Sequence, residues 1–391
     1  MAKALIEFYD NDNRDNIMPL LFDRYGKVIF VSFEDNAPDD KSSDLLDSLI
    51  KEKFGADTVF LTAEEKSLPF AYRLLYEITG KDDEFVIDLT GGSGLFAAAA
   101  GILISTESRQ NVSAVVCGTN NCRLYEQYPE RGVKDPVVTL DVNDLIRFSG
   151  GAVISASKTY TEMNGSPALR TEITRMWDTV KSVTADWNRF CSMTNRREGG
   201  FVTKKLSRAD DKKTCERLTG LLKRRGIIKN DRMYTSENGK TYLEYELCPK
   251  AKTIEMYEKS GTALELYSCL AAGESGSFTD AASGVLLDLD GLITKKKGDP
   301  RNEIDLAAVY KNRLVLMSCK CTKPTKEHLY EVLTMAEQYG GKYAIPALIC
   351  SEPAFEPVRE RAAEMGVILI DNVLNSSLKT IKEKFRTLFP V

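Results

Sequence analysis

Short apolar segments alternate with helix-patterned ones along the first 150 residues, and that alternation restricts the fold more than any other feature. Strand-like stretches are expected at Ala4–Tyr9, Lys27–Phe33, Thr58–Leu61, Phe85–Leu89 and Val112–Cys117. Helical patterns lie between them at Ile17–Tyr25, Ser42–Phe54, Leu68–Thr79 and Leu95–Ile104. Strands alternating with helices read as an α/β unit with a mostly parallel, doubly wound, Rossmann-like sheet, which Val112–Cys117 closes.

A chain of 391 residues has room for two or three domains at about 150 residues each. The pattern divides it at 1–150, 151–250 and 251–391. The middle segment carries amphipathic helices over Pro167–Phe190 and Asp210–Arg225, then Gly226 and strand-like pieces around Met233–Thr235 and Tyr242–Leu247. This order suits a helical or winged-helix-like linker with Trp177 and Trp187 as core anchors. Its Lys223-Arg224-Arg225 cluster fits either a helix C-terminus, where cations are favoured, or a nucleic-acid contact. The last segment starts with a helix over Thr253–Leu270 and strand material at Gly284–Leu289 and Gly291–Thr294. A basic loop, Lys295-Lys296-Lys297, comes next, readable as solvated or as a hold on a substrate backbone. After it stand a strand pair (Ile304–Tyr310, Leu314–Lys320), a helix, a strand, a helix and a last strand at Val367–Ile370.

Composition narrows the chemistry. Lys+Arg of 53 against Asp+Glu of 57 leaves a net charge of −4, too little basic excess to hold nucleic acid by bulk field alone. One histidine, His328, argues against serine-type triads and two-histidine zinc sites. A metal site here would therefore use carboxylates, which suit Mg²⁺ or Mn²⁺. Nine scattered cysteines, no secretory signal and no apolar run of membrane-spanning length are the pattern of a cytoplasmic protein with reduced thiols. Cys319-x-Cys321 has no second pair at metal-site spacing and reads as buried thiols.

Two places carry candidate chemistry. Thr90-Gly91-Gly92-Ser93-Gly94 comes after a strand and opens a helix, so its backbone N–H groups can face an anion at the carboxyl end of the sheet. The loop is neither GxGxxG nor a Walker loop, and it equally suits a turn that merely needs positive φ. Asp10–Asn16 reaches the same end, which makes Asn11, Asn13 and Asn16 either ligand contacts or turn formers. The second place is the hairpin that opens with Asn302-Glu303-Ile304-Asp305 and closes with Ser318-Cys319-Lys320. Strand alternation puts Glu303 and Asp305 on one face, and a two-residue loop at Lys311-Asn312 sets Asp305 opposite Ser318 with Lys320 diagonal. Upstream, Gly261-Thr262-Ala263-Leu264-Glu265 places an acid on an apolar helix, where it needs a cation. Carboxylates with a lysine suit metal-assisted phosphodiester hydrolysis; an Asp305–Lys320 salt bridge is the plain structural alternative.

On these residues the third unit resembles the PD-(D/E)xK fold of restriction-type endonucleases. The match is to the group patterned Gly-x-x-Leu-Glu, Asn-Glu-Ile-Asp and x-Cys-Lys. The first unit, with its Thr-Gly-Gly-Ser loop, resembles the CARF ligand-sensing domain, and the two in this order are similar to CRISPR type III ancillary nucleases. The resemblance implies a homodimer that binds cyclic tetra-adenylate through Thr90–Gly94 and then cleaves single-stranded RNA or DNA in antiviral defence. It also implies Mn²⁺ or Mg²⁺ on Glu265, Asp305 and Glu303, with Lys320 positioning the attacking water. The chain departs from the family at Ser318, where an acid is usual, and at Gly94, where a lysine is usual. Two other outcomes stay open: a ligand-sensing regulator that binds duplex DNA through the middle segment, and a sensor that degrades its own cyclic activator.

Overall fold

The computed structural model describes residues 3–80, 83–107, 111–129, 131–198, 201–208, 210–248, 259–288 and 301–390. The expected strand at Gly291–Thr294, the Lys295–Lys297 loop and positions 253–258 of the expected helix lie outside them.

The first unit contains β1 (Lys3–Phe8), β2 (Lys27–Phe33), α1 (Asp40–Phe54), β3 (Asp57–Ala63), α2 (Leu68–Thr79), β4 (Glu84–Asp88), α3 (Gly94–Glu107) and β5 (Val112–Gly118). These strands run parallel in the order β3-β2-β1-β4-β5. The central strands are apolar on both faces, because helices cover both sides of the sheet. Asp39 caps α1 through the Ser42 N–H at 2.8 Å, and Gly55 at φ 71° ends it. The series does not close at Val112–Cys117. β6 (Arg123–Tyr128) and β7 (Gly132–Lys134) extend the sheet antiparallel to seven strands, a local hairpin that the βα alternation does not reveal.

Next come α4 (Val142–Phe148), β8 (Ala152–Thr159), α5 (Tyr160–Asn164), α6 (Pro167–Val180), α7 (Thr184–Ser192), β9 (Asn195–Glu198), β10 (Phe201–Leu206), α8 (Asp211–Arg224), β11 (Ile228–Thr235) and β12 (Thr241–Leu247). The antiparallel order β11-β12-β10-β9 forms a second sheet, on which α7 and α8 pack. Trp177 and Trp187 are fully buried there. Lys223 pairs with Asp231 at 2.7 Å, in keeping with the helix-end reading of that cluster.

The third unit adds α9 (Thr262–Ser275), β13 (Asp280–Asp288), β14 (Arg301–Tyr310), β15 (Arg313–Lys320), α10 (Lys326–Gly340), β16 (Ile345–Cys350), α11 (Glu356–Glu364), β17 (Ile368–Ile370) and α12 (Leu378–Leu388). Its sheet runs β17-β16-β15-β14-β13-β8, so β8 from the linker segment forms its edge. Leu306, Ala308, Val315 and Met317 pack with α9 and the middle unit, whereas Ala307, Val309, Leu314 and Leu316 share a core with Leu5, Leu46 and Ile146. The first and C-terminal units therefore form one continuous interior.

Candidate functional site

The β14–β15 hairpin turns at Lys311 and Asn312, both at positive φ (50° and 53°). A two-residue turn of this kind fixes the register at Tyr310–Arg313 through Leu306–Met317. One step further, the Asp305 side chain takes over from the backbone ladder: its Oδ2 accepts the Cys319 N–H at 2.7 Å and the Ser318 hydroxyl at 3.1 Å. Ser318 therefore acts as a donor to the central acid. The Asp305–Lys320 salt bridge does not form; Lys320 Nζ lies 3.2 Å from Glu331 Oε2 on α10. Lys320 nevertheless favours the ionised form of Asp305, against burial and the Glu303 charge, which together lift this carboxyl above the usual range.

Glu265 faces the same fork from the first turn of α9. An added Cβ at Gly261 would lie 2.6 Å from Glu265 Oε1, so the glycine makes room for this carboxylate to fold back over the helix start. Burial first, then the charges of Asp305 and Glu303, push the Glu265 carboxyl up to about 8. Glu303 is exposed, with both carboxylate oxygens 3.3 Å from Lys259 Nζ. Among the described residues no group of three His, Cys, Asp or Glu side chains is drawn together closely enough to hold a metal ion. The donor set still fits a hard divalent cation: all ligand atoms are carboxylate oxygens, two acids are largely buried, and Glu265 is short of positive charge. His328, the lone imidazole, accepts the Thr325 N–H through Nδ1 at 3.3 Å and caps α10; burial and Lys320 hold it below its ordinary range. All nine cysteines are free thiols, and Cys319 is buried.

The second candidate place lies where strand order reverses between β1 and β4, at their carboxyl ends, the usual ligand crevice of an open α/β sheet. A groove of about 340 Å³ opens there, lined by Asn11, Ser32, Asp35, Lys66, Gly92 and Ser93 among others. Of the expected contacts, Asn11, Gly92 and Ser93 line it. Thr90 turns inward: its hydroxyl donates to Asp88 Oδ1 at 2.5 Å and accepts the Cys117 N–H at 2.7 Å. Asn13 donates to the Phe148 carbonyl at 3.0 Å, and buried Asn16 closes the Asp10 turn at 2.7 and 2.8 Å. Neither of the two lines the groove: Asn13 ties this loop to the end of α4, and Asn16 shapes the turn itself. Gly91 packs on Asp15, while Gly94 begins α3 with open space around it. Sequence reasoning missed Ser32, Asp35 and Lys66. Ser32 and Asp35 could have been found from the carboxyl end of β2, whereas Lys66 has no local signal.

Beneath this groove lie two buried acids, Glu7 and Asp88. Burial holds Asp88 at about 7, and burial with the Asp88 charge raises Glu7 well above the carboxylate range. The folded chain therefore binds a proton at Asp88 that the unfolded chain releases, so this stabilisation is full below the usual Asp range and fades as pH rises to about 7. Urea unfolding at pH 5.5 and 7.0 is expected to show a stability loss about 2 kcal/mol larger in the native chain than in Asp88→Asn, from about 1.4 kcal/mol per unit of pH. Equal losses in the two proteins would refute that assignment.

The Asp10–Asp15 segment beside the groove also touches the C-terminal unit. Asp10 Oδ2 accepts the Gly92 N–H at 3.3 Å, and neighbouring Asp15 accepts Lys342 Nζ at 2.5 Å and the Tyr343 hydroxyl at 2.6 Å. Asn312 bridges the same boundary through the Leu140 N–H at 2.8 Å and the Val138 carbonyl at 3.1 Å.

No protein-family model and no curated protein matches the sequence. Solved structures do. Protein VC1899 from Vibrio cholerae superposes at TM-score 0.73 with 16% identity, over 99% of this chain and 98% of that one. Can2 from Sulfobacillus thermosulfidooxidans, in complex with cyclic tetra-adenylate, superposes at 0.67 with 12% identity, over 97% and 99%. At these identities the likeness establishes the fold: a Rossmann-like domain joined to an α/β domain, with the whole order of units shared. No described helix is long and apolar enough to cross a membrane.

Proposed function

We propose that this chain is a cyclic-oligoadenylate-activated, divalent-metal-dependent nuclease for single-stranded RNA or DNA, acting as a homodimer in type III CRISPR defence. The observation that carries the reading is the fork of β14 and β15, where Asp305 accepts the Cys319 N–H and the Ser318 hydroxyl and its charge helps raise the buried Glu265 carboxyl. Asp305 and Glu265, joined by Glu303 once it leaves Lys259, would hold Mn²⁺ or Mg²⁺. Such an ion supplies Lewis acidity toward a phosphodiester and an acidified water. Lys320, released from Glu331, donates hydrogen bonds to the attacking water and offsets negative charge growing on the phosphate oxygens. Ser318 keeps Asp305 oriented rather than adding a ligand, so the third carboxylate has to come from α9 or from Glu303.

On the sensor side, the fold shared with a cyclic tetra-adenylate complex and the groove at the strand-order switch support the ligand class. A ring of repeated nucleotides matches two copies of that groove across a two-fold axis. Because the sensor and nuclease units share one core, the ligand acts on the placement of the two copies rather than on a hinge within one. The test mixes purified protein, Mn²⁺ and labelled single strands with and without cyclic tetra-adenylate. Cleavage is expected only with the activator; its absence under all conditions would overturn the reading.

A further inference from the structure

The second sheet has two unlike faces. Val202, Lys204, Leu243 and Tyr245 point into the core, with Lys204 over the Phe190 ring at 4.6 Å. The opposite face is open and forms a groove of about 890 Å³, larger than the one in the sensor. Tyr234 and Tyr242 stack on it with centroids 5.6 Å apart and planes 24° from parallel, and Tyr234 is 39% exposed. Strand register sets these two rings in one row with Lys205, and sets Arg232, Glu244, Thr203 and Arg196 in the next. Phe201 lies on the same face beyond them. Arg232 lies 5.5 Å over the Tyr234 ring while pairing with Glu244 at 2.7 Å. Arg196, Lys205 and Arg232 against Glu244 give the groove lining a charge of 3 − 1 = +2, in a chain whose total is −4.

A stacked Tyr pair by itself stabilises a hairpin. Three cations arranged around stacked rings do more: they match a strand whose bases are unpaired and whose phosphates run alongside. Base–aromatic stacking contributes about 1–3 kcal/mol per base whatever the sequence, and duplex DNA hides those base faces. The location is also suitable. Asn188 on α7 donates to the Cys321 carbonyl at 2.9 Å, one residue past Lys320, and α7 leads directly into β9. Asn195 follows Asn188 by seven positions, so the sheet edge lies within about 25 Å of that anchor.

We propose that this face is a docking platform for single-stranded nucleic acid, holding the strand that the β14–β15 fork acts on. The proposal deepens the nuclease reading and rests on it only for the cleavage step, not for binding. The test is fluorescence anisotropy of the full chain in EDTA, with and without cyclic tetra-adenylate, using labelled oligouridylate and oligothymidylate of about 20 nucleotides, longer than one such site. Tyr234→Ala/Tyr242→Ala is expected to weaken binding at least about tenfold, the loss of two stacked bases, while Tyr234→Phe/Tyr242→Phe keeps it. Arg196→Gln/Lys205→Gln is expected to reduce the salt slope by about 1.4, from about 0.7 per phosphate contact. Unaltered affinity in the Ala variant, no binding by the native chain, or equally tight binding of a duplex would overturn the proposal. So would a change of oligomeric state without a change in oligonucleotide affinity, which would assign the face to a second copy. Without metal no cleavage occurs, so failure of the nuclease reading shows in the Mn²⁺ assay and leaves this binding result untouched.

Discussion

Lys320→Ala is expected to lower activator-dependent cleavage by about 10²–10³-fold while changing stability by less than about 1 kcal/mol. The two effects separate because of where the ammonium sits. Its partner Glu331 is 60% exposed, so losing that pair costs little, whereas on the proposed nuclease reading the fork loses the cation that would face the phosphate. Asp305→Asn is expected to match the activity loss by a different route. The amide oxygen can still accept the Cys319 N–H and the Ser318 hydroxyl, so the local geometry persists, but the negative charge is gone. Single-turnover cleavage with saturating activator, alongside urea unfolding, measures both. Cleavage at the native rate by either variant would sink the assignment of the fork as the catalytic site. Ser318→Ala gives an internal contrast. It removes one donor to Asp305, a neutral-to-charged hydrogen bond of about 1.5–3 kcal/mol, and is expected to reduce the rate less than the loss of Asp305 or Lys320.

The hairpin was legible because its physics is local. Lys311 and Asn312 close a two-residue turn, such turns set register, and register places Asp305 against Ser318. The parallel sheet was legible for a similar reason, since the alternation of elements leaves few chain paths. The unread parts are non-local. β8 joins the third sheet from more than 100 residues away, and nothing in its own sequence names β13 as a neighbour. Lys320 had several acids within plausible reach, and the choice of Glu331 over Asp305 depends on where α10 docks. Thr90 shows the limit at a single residue. The loop joins β4 to α3 as its pattern requires, but whether a hydroxyl points out of it or in to Asp88 depends on a buried acid two positions earlier, which needs a donor.

The same loop carries the other large effect. Gly92 stands at φ +72°, and a Cβ there would lie 2.4 Å from both the Phe8 carbonyl oxygen and the Phe8 Cβ. These are the carboxyl end of β1, a central strand, so relief cannot come from a side-chain rotation. A left-handed conformation costs an L-residue about 1–2 kcal/mol before any clash, and the contact adds to it. Gly92→Ala is therefore expected to destabilise the chain by about 2–4 kcal/mol and to displace the loop from Asp10, which accepts the Gly92 N–H. Gly94→Ala, two residues on, provides the comparison. It has no atom within 4 Å of the added Cβ and lies in the first turn of α3, where alanine is favoured over glycine by about 0.5–1 kcal/mol. Calorimetry of cyclic tetra-adenylate binding and urea unfolding on the pair separates the two outcomes. If the loop's backbone shape makes the ligand crevice, Gly92→Ala loses binding at least about tenfold, a change of about 1.4 kcal/mol, and unfolds earlier, while Gly94→Ala does not unfold earlier. Equal stability of the two variants would show that the close approach to Phe8 is not what holds the loop. Native binding by Gly92→Ala would remove the loop from the ligand site and leave the groove at Ser32, Asp35 and Lys66 to account for recognition.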